Sequence, residues 1–233
     1  MLLKYDLHIH TALSPCCHND MTPNNIIRMA FLNNLKIIGI TDHNSCENVK
    51  AVMDLGKEYS ILTVPGMEIE TKEEIHVLCF FSNLHNVYNM QKYIQDHMTV
   101  NQNNPKLLGE QLIFDKYDNI IKTEKRLLLT ATGLSINKIY LKTTELGGVM
   151  VPAHIDRPSY SIISNLGLIP EDLNIKNLEI SRHVTREAYI EKYKNYNILQ
   201  SSDAHELGYI GICEGVLDIE EFTIESIINQ LSR

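Results

Sequence analysis

The residues best equipped for chemistry stand near the start of the chain, in Asp6-Leu7-His8-Ile9-His10. A β-strand sends alternate side chains to one face, so His8 and His10 point the same way. Two imidazoles side by side at a strand end can hold one metal ion. The same residue types return along the chain, each at or near one end of an apolar run: Asp42 with His43, Glu68, His76, His154, and Asp203 with His205. Imidazole and carboxylate donors suit Mn, Zn or Fe better than Mg or Ca.

Positioning these residues requires a core. The 233 residues are read as a single domain over 1–233, with an insertion or lid around 99–126. A hydrophobic share of 44% is that of a globular protein with a buried interior. Net charge is -8 without a block of like charges, which argues against a long nucleic-acid partner. The apolar runs fall well short of a membrane span, and the N-terminus lacks the pattern of a signal peptide. The five cysteines form no C-x-x-C pair and are read as reduced thiols in a cytoplasmic protein. A metal role for Cys16 or Cys17 stays open, because thiolate is a good soft ligand.

Strand, loop and helix alternate, which argues for a parallel sheet or barrel covered by helices. Thr22-Pro23 starts a helix, and Asn44 with Glu47 reads as the cap of another over 45–59. Strands are expected at 35–41, 61–64, 75–81, 149–152, 178–181 and 197–201, with Pro65-Gly66 breaking the third strand of the chain. Residues 111–114 and 120–123 read as a hairpin. Ser135 caps a helix, and 223–231 closes the chain as another. The ligand-type residues then fall on one rim of strand ends, where α/β barrels carry their active sites. His85, His97 and His183 read as packing or solvated residues, and Glu70 shares the face of Glu68.

Asp-Leu-His-Ile-His-Thr at 6–11, Thr-Asp-His-Asn at 41–44, Gly-Met-Glu at 66–68, Pro-Ala-His at 152–154 and Ser-Asp-Ala-His at 202–205 together resemble the PHP (polymerase and histidinol phosphatase) family. The resemblance implies a distorted (β/α)7 TIM-like barrel and a metal-dependent phosphoesterase with two or three divalent ions, commonly a trinuclear centre. It implies that His8, His10 and Asp203 hold one metal, that Glu68 bridges it to another with His76 and His154, and that His43 and His205 serve the remaining one. Asp42 matches the neighbouring acid, which orients a histidine. The family's aspartate five residues after the second histidine of the opening motif is Pro15 here. Asp20 is the expected replacement, with His18 behind it.

The expected reaction is hydrolysis of a phosphate monoester by a metal-bridging hydroxide. The substrate is a small phosphorylated metabolite, nucleotide-like, or the end of a short oligonucleotide. Glu68 and Asp203 carry the chemistry, with His205, Asp42 or water protonating the leaving group. Arg157 and Arg182 follow strand-end motifs and could clamp phosphate oxygens. Two competing readings are a metal-dependent amidohydrolase, although Glu68 rather than a lysine occupies the bridge, and a metal-stabilised interaction module without turnover.

Overall fold

A computed structural model describes residues 1–213 and 215–233. The chain runs β1 (Leu2–Ile9), α1 (Pro23–Leu32), β2 (Ile37–Ile40), α2 (Val49–Glu58), β3 (Leu62–Glu70), β4 (His76–Phe80) and α3 (Leu84–Gln95). It continues with α4 (Pro105–Leu108), β5 (Leu112–Phe114), β6 (Ile120–Thr123), α5 (Ile136–Glu145), β7 (Val149–Pro152) and α6 (Ile162–Leu166). It ends with β8 (Asn177–Ile180), α7 (Arg186–Lys192), β9 (Asn197–Gln200), β10 (Gly215–Asp218) and α8 (Ile224–Leu231). No helix among the described residues is long and apolar enough to cross a membrane.

The architecture is mixed α/β with a curled sheet, ordered β10-β1-β2-β3-β4-β7. β8 and β9 form a separate parallel pair, so continuous strand pairing does not close the expected barrel among the described residues. β1, β2 and β3 are parallel, whereas β4 lies antiparallel between β3 and β7. This reversal puts His76, at the beginning of β4, on the rim reached by the ends of β1, β2 and β7.

One edge of β1 is shared. β10, which the sequence reading did not foresee, pairs antiparallel with Leu2 to Tyr5. Farther up, Ala204 N–H donates to the His8 carbonyl and His10 N–H donates to the Ala204 carbonyl. That short parallel contact places Asp203 beside the two histidines. Buried Asp6 holds the segment from behind, accepting from the backbone N–H groups of Ser202 and Gly211.

Two local expectations are corrected. Pro65-Gly66 does not break the strand, since β3 runs through both to Glu70. A Cβ at Gly66 would stand 2.9 Å from the Phe80 ring, so glycine lets β4 approach closely. Asn44 does not cap a helix either. Its φ is 48°, its side chain donates to the carbonyls of Leu128 and Thr130, and α2 begins only after Asn48. The caps at Thr22 and Ser135 are as expected, and Thr223, read as the first residue of the last helix, caps it instead; each hydroxyl accepts a backbone N–H of the first turn.

One apolar layer joins the sheet to α1, α2, α3 and α5 through Ile26, Val52, Ile94 and Ile139. A second gathers Tyr5, Leu7, Val64, Phe80, Val151 and Leu199 against Ile227, Ile228 and Leu231 of α8. Burial of such side chains contributes roughly 1.5–3 kcal/mol each, so α8 is a major anchor of this layer. The segment 99–126 carries α4 and the β5–β6 hairpin. Ile113 and Leu128 pack on Leu13, and Asn48 bonds the backbone of Leu112 and Phe114.

Candidate metal centre

Glu68 stands at the middle of the rim, with five imidazoles around its carboxylate. Oε1 lies 3.0 Å from His76 Nδ1, 3.1 Å from His154 Nε2 and 3.5 Å from His8 Nε2. Oε2 lies 3.1 Å from His43 Nδ1 and 3.3 Å from His10 Nε2. Each oxygen therefore faces its own set of nitrogens. Asp203 is divided in the same manner. Its Oδ1 is 3.3 Å from both His8 Nε2 and His10 Nε2, while Oδ2 accepts from Arg157 Nη2 at 2.5 Å.

The outer nitrogens of the first two histidines are fixed from behind. His8 Nδ1 donates to Glu179 Oε2 at 2.9 Å, and the same oxygen accepts the His154 N–H at 3.2 Å. His10 Nδ1 donates to Ser14 Oγ at 3.0 Å, and Ser14 passes its own proton to Asp42 Oδ1 at 2.7 Å. Both rings thus turn Nε2 inward, where the two atoms stand 3.0 Å apart. Carboxylates that orient histidine ligands in this way raise ring basicity and metal affinity.

The donor set fits divalent cations. His8, His10 and Asp203 bring donor atoms within 4.8 Å of one another, as do His43, Glu68 and His76, and His10, His43 and His205. Without an ion the charges lean on each other. Burial disfavours charge on Glu68, yet His76, His8 and His43 hold its pKa well below the usual carboxylate range. Asp203 is likewise buried and is held low by His8 and His10. Burial works against charge on His8 and His10 as well. Glu179, Asp203 and Glu68 nevertheless push His8 well above the ordinary imidazole value, and Asp203 and Glu68 raise His10 to about 10. For His43 burial prevails over Glu68 and the pKa falls.

A cavity of about 350 Å³ opens onto this cluster. Its walls include Cys16, Glu70, Leu129, Arg157, Tyr160 and His205, and Arg157 is the sole arginine or lysine among the lining residues. Exposed Tyr160 leans on the His76 ring with centroids 4.8 Å apart. Glu70 comes within 4.0 Å of His76 Nε2, and burial raises its pKa.

Several expected residues lie elsewhere. Asp20 and His18 are exposed and pair with each other at 2.8 Å, outside the cluster. The loop explains this. Turns at 11–14 and 14–17 bring Cys16 inward, whereas the Asp20 carbonyl already accepts from Thr22 and Asn25 at the entry to α1. Arg182 does not reach the cavity. Its Nη1 donates to the Ser202 carbonyl at 2.5 Å, and its guanidinium covers the Tyr209 ring. Asp42 is buried and spends its oxygens on Thr11 and Ser14, so it acts through His10 rather than on a substrate. The sequence reading missed Glu179 and Ser14. A lone acid inside the apolar run Asn177-Leu-Glu-Ile was the available signal for Glu179.

An α/β chain that gathers imidazoles and two carboxylates at one sheet rim has the side chains to bind metal there. The profile of the PHP domain matches residues 6–157, and the chain belongs to this family of metal-dependent hydrolases. The uncharacterized protein MJ0043 of Methanocaldococcus jannaschii is 26% identical over 167 residues, 72% of this chain and 18% of its own length. Among solved structures, the lesion-specific endonuclease PfuEndoQ from Pyrococcus furiosus superposes with a TM-score of 0.72 at 20% identity, over 100% of this chain and 56% of that one. An endonuclease Q complex with a 27-mer duplex carrying an abasic lesion gives 0.74 at 19%, over 98% of this chain and 56% of that one. A Bifidobacterium adolescentis protein considered a metal-dependent phosphoesterase gives 0.62 at 16%, covering 96% of this chain and 94% of that one. The chain thus spans about half the length of the endonucleases and under a fifth of the curated relative.

Proposed function

We propose that the protein is a metal-dependent phosphoesterase acting on a nucleotide-sized phosphate ester or on the phosphate end of a short oligonucleotide. The observation that carries this reading is the two-sided environment of Glu68. One oxygen faces His8, His76 and His154, the other His10 and His43, as a carboxylate bridging two ions requires. In this reading His8, His10 and Asp203 hold one ion, His76 and His154 another, and His43 and His205 a third. Bound divalent ions neutralise phosphate oxygens and make a water nucleophilic at neutral pH. The reading includes the finer fold assignment, one domain forming a distorted seven-stranded barrel with 99–126 as a wall of its mouth. It also includes a reducing, cytosolic setting, since Cys16 stands in the site as a thiol.

The chain's own residues then divide the work. Arg157 holds the phosphate by its guanidinium fork, which suits a tetrahedral anion better than a lysine would. The leaving oxygen takes its proton from water, because His205 is committed to the third ion in this reading and the Asp42 oxygens to Thr11 and Ser14. Tyr160 offers a ring face to a nucleobase. A cavity of about 350 Å³ lies at the small end of the range for ligand pockets, which favours a compact substrate over a groove for long duplex.

A second reading, cleavage inside a long DNA strand, is favoured by the likeness to endonuclease Q over the whole chain. One panel separates the two. Metal-loaded protein is given mononucleotides, a 5′-phosphorylated short oligonucleotide and a duplex with an abasic site. Free phosphate or shortening from an end supports the first reading, and an internal nick supports the second. Arg157→Ala should raise KM about tenfold to a hundredfold, the loss of a charge-assisted bond. Loaded protein that leaves every substrate intact would sink the phosphoesterase reading.

A further inference from the structure

The His43–His205 corner lacks what the other corners have. His8 and His10 share Asp203 Oδ1, and His76 and His154 share Glu68 Oε1, but His10, His43 and His205 converge without a carboxylate of their own: His43 and His10 reach only the second oxygen of Glu68, and His205 stands 3.5 Å from the Asp203 oxygen already shared by His8 and His10. The acid nearest in sequence, Asp20, is exposed and occupied by His18. Two sulfurs stand there instead. Cys16 Sγ and Cys17 Sγ lie within 4.8 Å of each other and of a His205 nitrogen. They are not equivalent. Cys17 is buried, whereas Cys16 lines the cavity that Glu68, Asp203, His43 and His205 also line.

We propose that Cys16, as a thiolate, is a ligand of the divalent ion held by His43 and His205. The inference rests on the metal-centre reading given above. Its balance is simple: the S–H bond breaks, the proton goes to water, and sulfur donates its electron pair to the cation with no change of oxidation state. Thiolate supplies the negative charge that the three imidazoles cannot. It also makes this corner select a thiophilic ion such as zinc, iron or cobalt over magnesium, whereas a carboxylate would not.

Cobalt(II) titration of the metal-free full chain tests this, because cobalt–thiolate bonds give a near-ultraviolet charge-transfer absorption. Wild type should develop the band as this corner fills. Cys16→Ser should lose the band and about one equivalent of tightly bound cobalt. Cys16→Asp should regain the equivalent without the band. Cys17→Ser and Asp20→Asn should keep both. Wild type that takes up cobalt without a sulfur band overturns the inference and leaves the metal centre standing. Protein that takes up no cobalt removes the metal-centre reading itself. A band that survives Cys16→Ser, or disappears in Cys17→Ser, also overturns it.

Discussion

Glu179 has no direct line to the cavity, yet the metal centre should depend on it. Its Oε2 accepts the His8 Nδ1 proton at 2.9 Å and the His154 N–H at 3.2 Å, within fully enclosed surroundings. Glu179→Gln keeps the shape and leaves a neutral acceptor. A hydrogen bond to a charged group contributes about 1.5–3 kcal/mol and a neutral one about 0.5–1.5 kcal/mol. The difference, about 1–1.5 kcal/mol, is close to tenfold in an equilibrium constant. It should appear as metal affinity weakened by about tenfold, since His8 loses both basicity and a firm ring orientation. Glu179→Ala is the harsher change. It leaves two buried N–H groups without acceptors at roughly 1–3 kcal/mol each, so its effect mixes with lost stability. The assay is a chelator-competition titration of metal-free wild type and Glu179→Gln with zinc or manganese, with His8→Ala as reference. At saturating metal the glutamine variant should recover most of its turnover, because Glu179 does not touch substrate. Affinity within twofold of wild type, while His8→Ala loses metal, would refute the reasoning.

Two further outcomes follow from the same geometry. His8 and His10 turn Nε2 towards Glu68 and Asp203, whose charges raise both imidazole pKa values against burial, so the metal-free pair keeps at least one inward proton at neutral pH. Metal binding near pH 7.5 should release at least one proton, countable by calorimetry in buffers of different ionisation enthalpy. His10 is raised to about 10, so its contribution to metal-free stability is complete below the unfolded imidazole value and is lost as pH rises towards 10. The gap in Tm between metal-loaded and metal-free protein should widen from pH 6.5 to 8.5, and a constant gap with no proton release would contradict this. Asp203 has φ 49°, where an L residue is strained. Asp203→Gly should therefore be about 0.5–1 kcal/mol more stable than Asp203→Ala in urea unfolding of the metal-free protein, reversing the usual order; the usual order would count against the strain.

The histidines were legible in the sequence because each adjoins an apolar run, and parallel strands deliver their ends to one rim. His76 was legible by type but not by place. Only the antiparallel turn between β3 and β4 explains how a residue at a strand's beginning joins residues at the ends of others. Asp20 was favoured by residue type and loop membership, while turn geometry carries Cys16, not Asp20, to the cavity wall. Arg182 misled because a guanidinium on the cavity wall and one turned away to a carbonyl and a tyrosine ring read alike in sequence. Ser14 and Glu179 act through partners 28 and 171 positions away, Asp42 and His8, and a spacing argument within one chain segment does not reach that far.

Strain ties fold and site together. Asn44, His154, Tyr160 and Asp203 all have positive φ, and all lie in or beside the cup. A chain leaving a strand can turn back across the rim most cheaply through glycine. Glycine carries no donor atom, however, whereas in the proposed metal centre His154 and Asp203 each supply one. The local penalty, on the order of 1–2 kcal/mol for a residue such as histidine and less for asparagine or aspartate, is therefore offset nearby. Glu179 grips the His154 N–H, the Ala204 peptide pairs with β1 immediately after Asp203, and the Tyr160 carbonyl accepts from His76 N–H. Tyr160 and Asp203 are pinned by backbone bonds at or next to the histidines their side chains meet, and His154 by the acid that also orients His8. The backbone that makes the cup costly is thus held by the same groups that orient its ligands, which is why loosening Glu179 should weaken metal binding before it unfolds the chain.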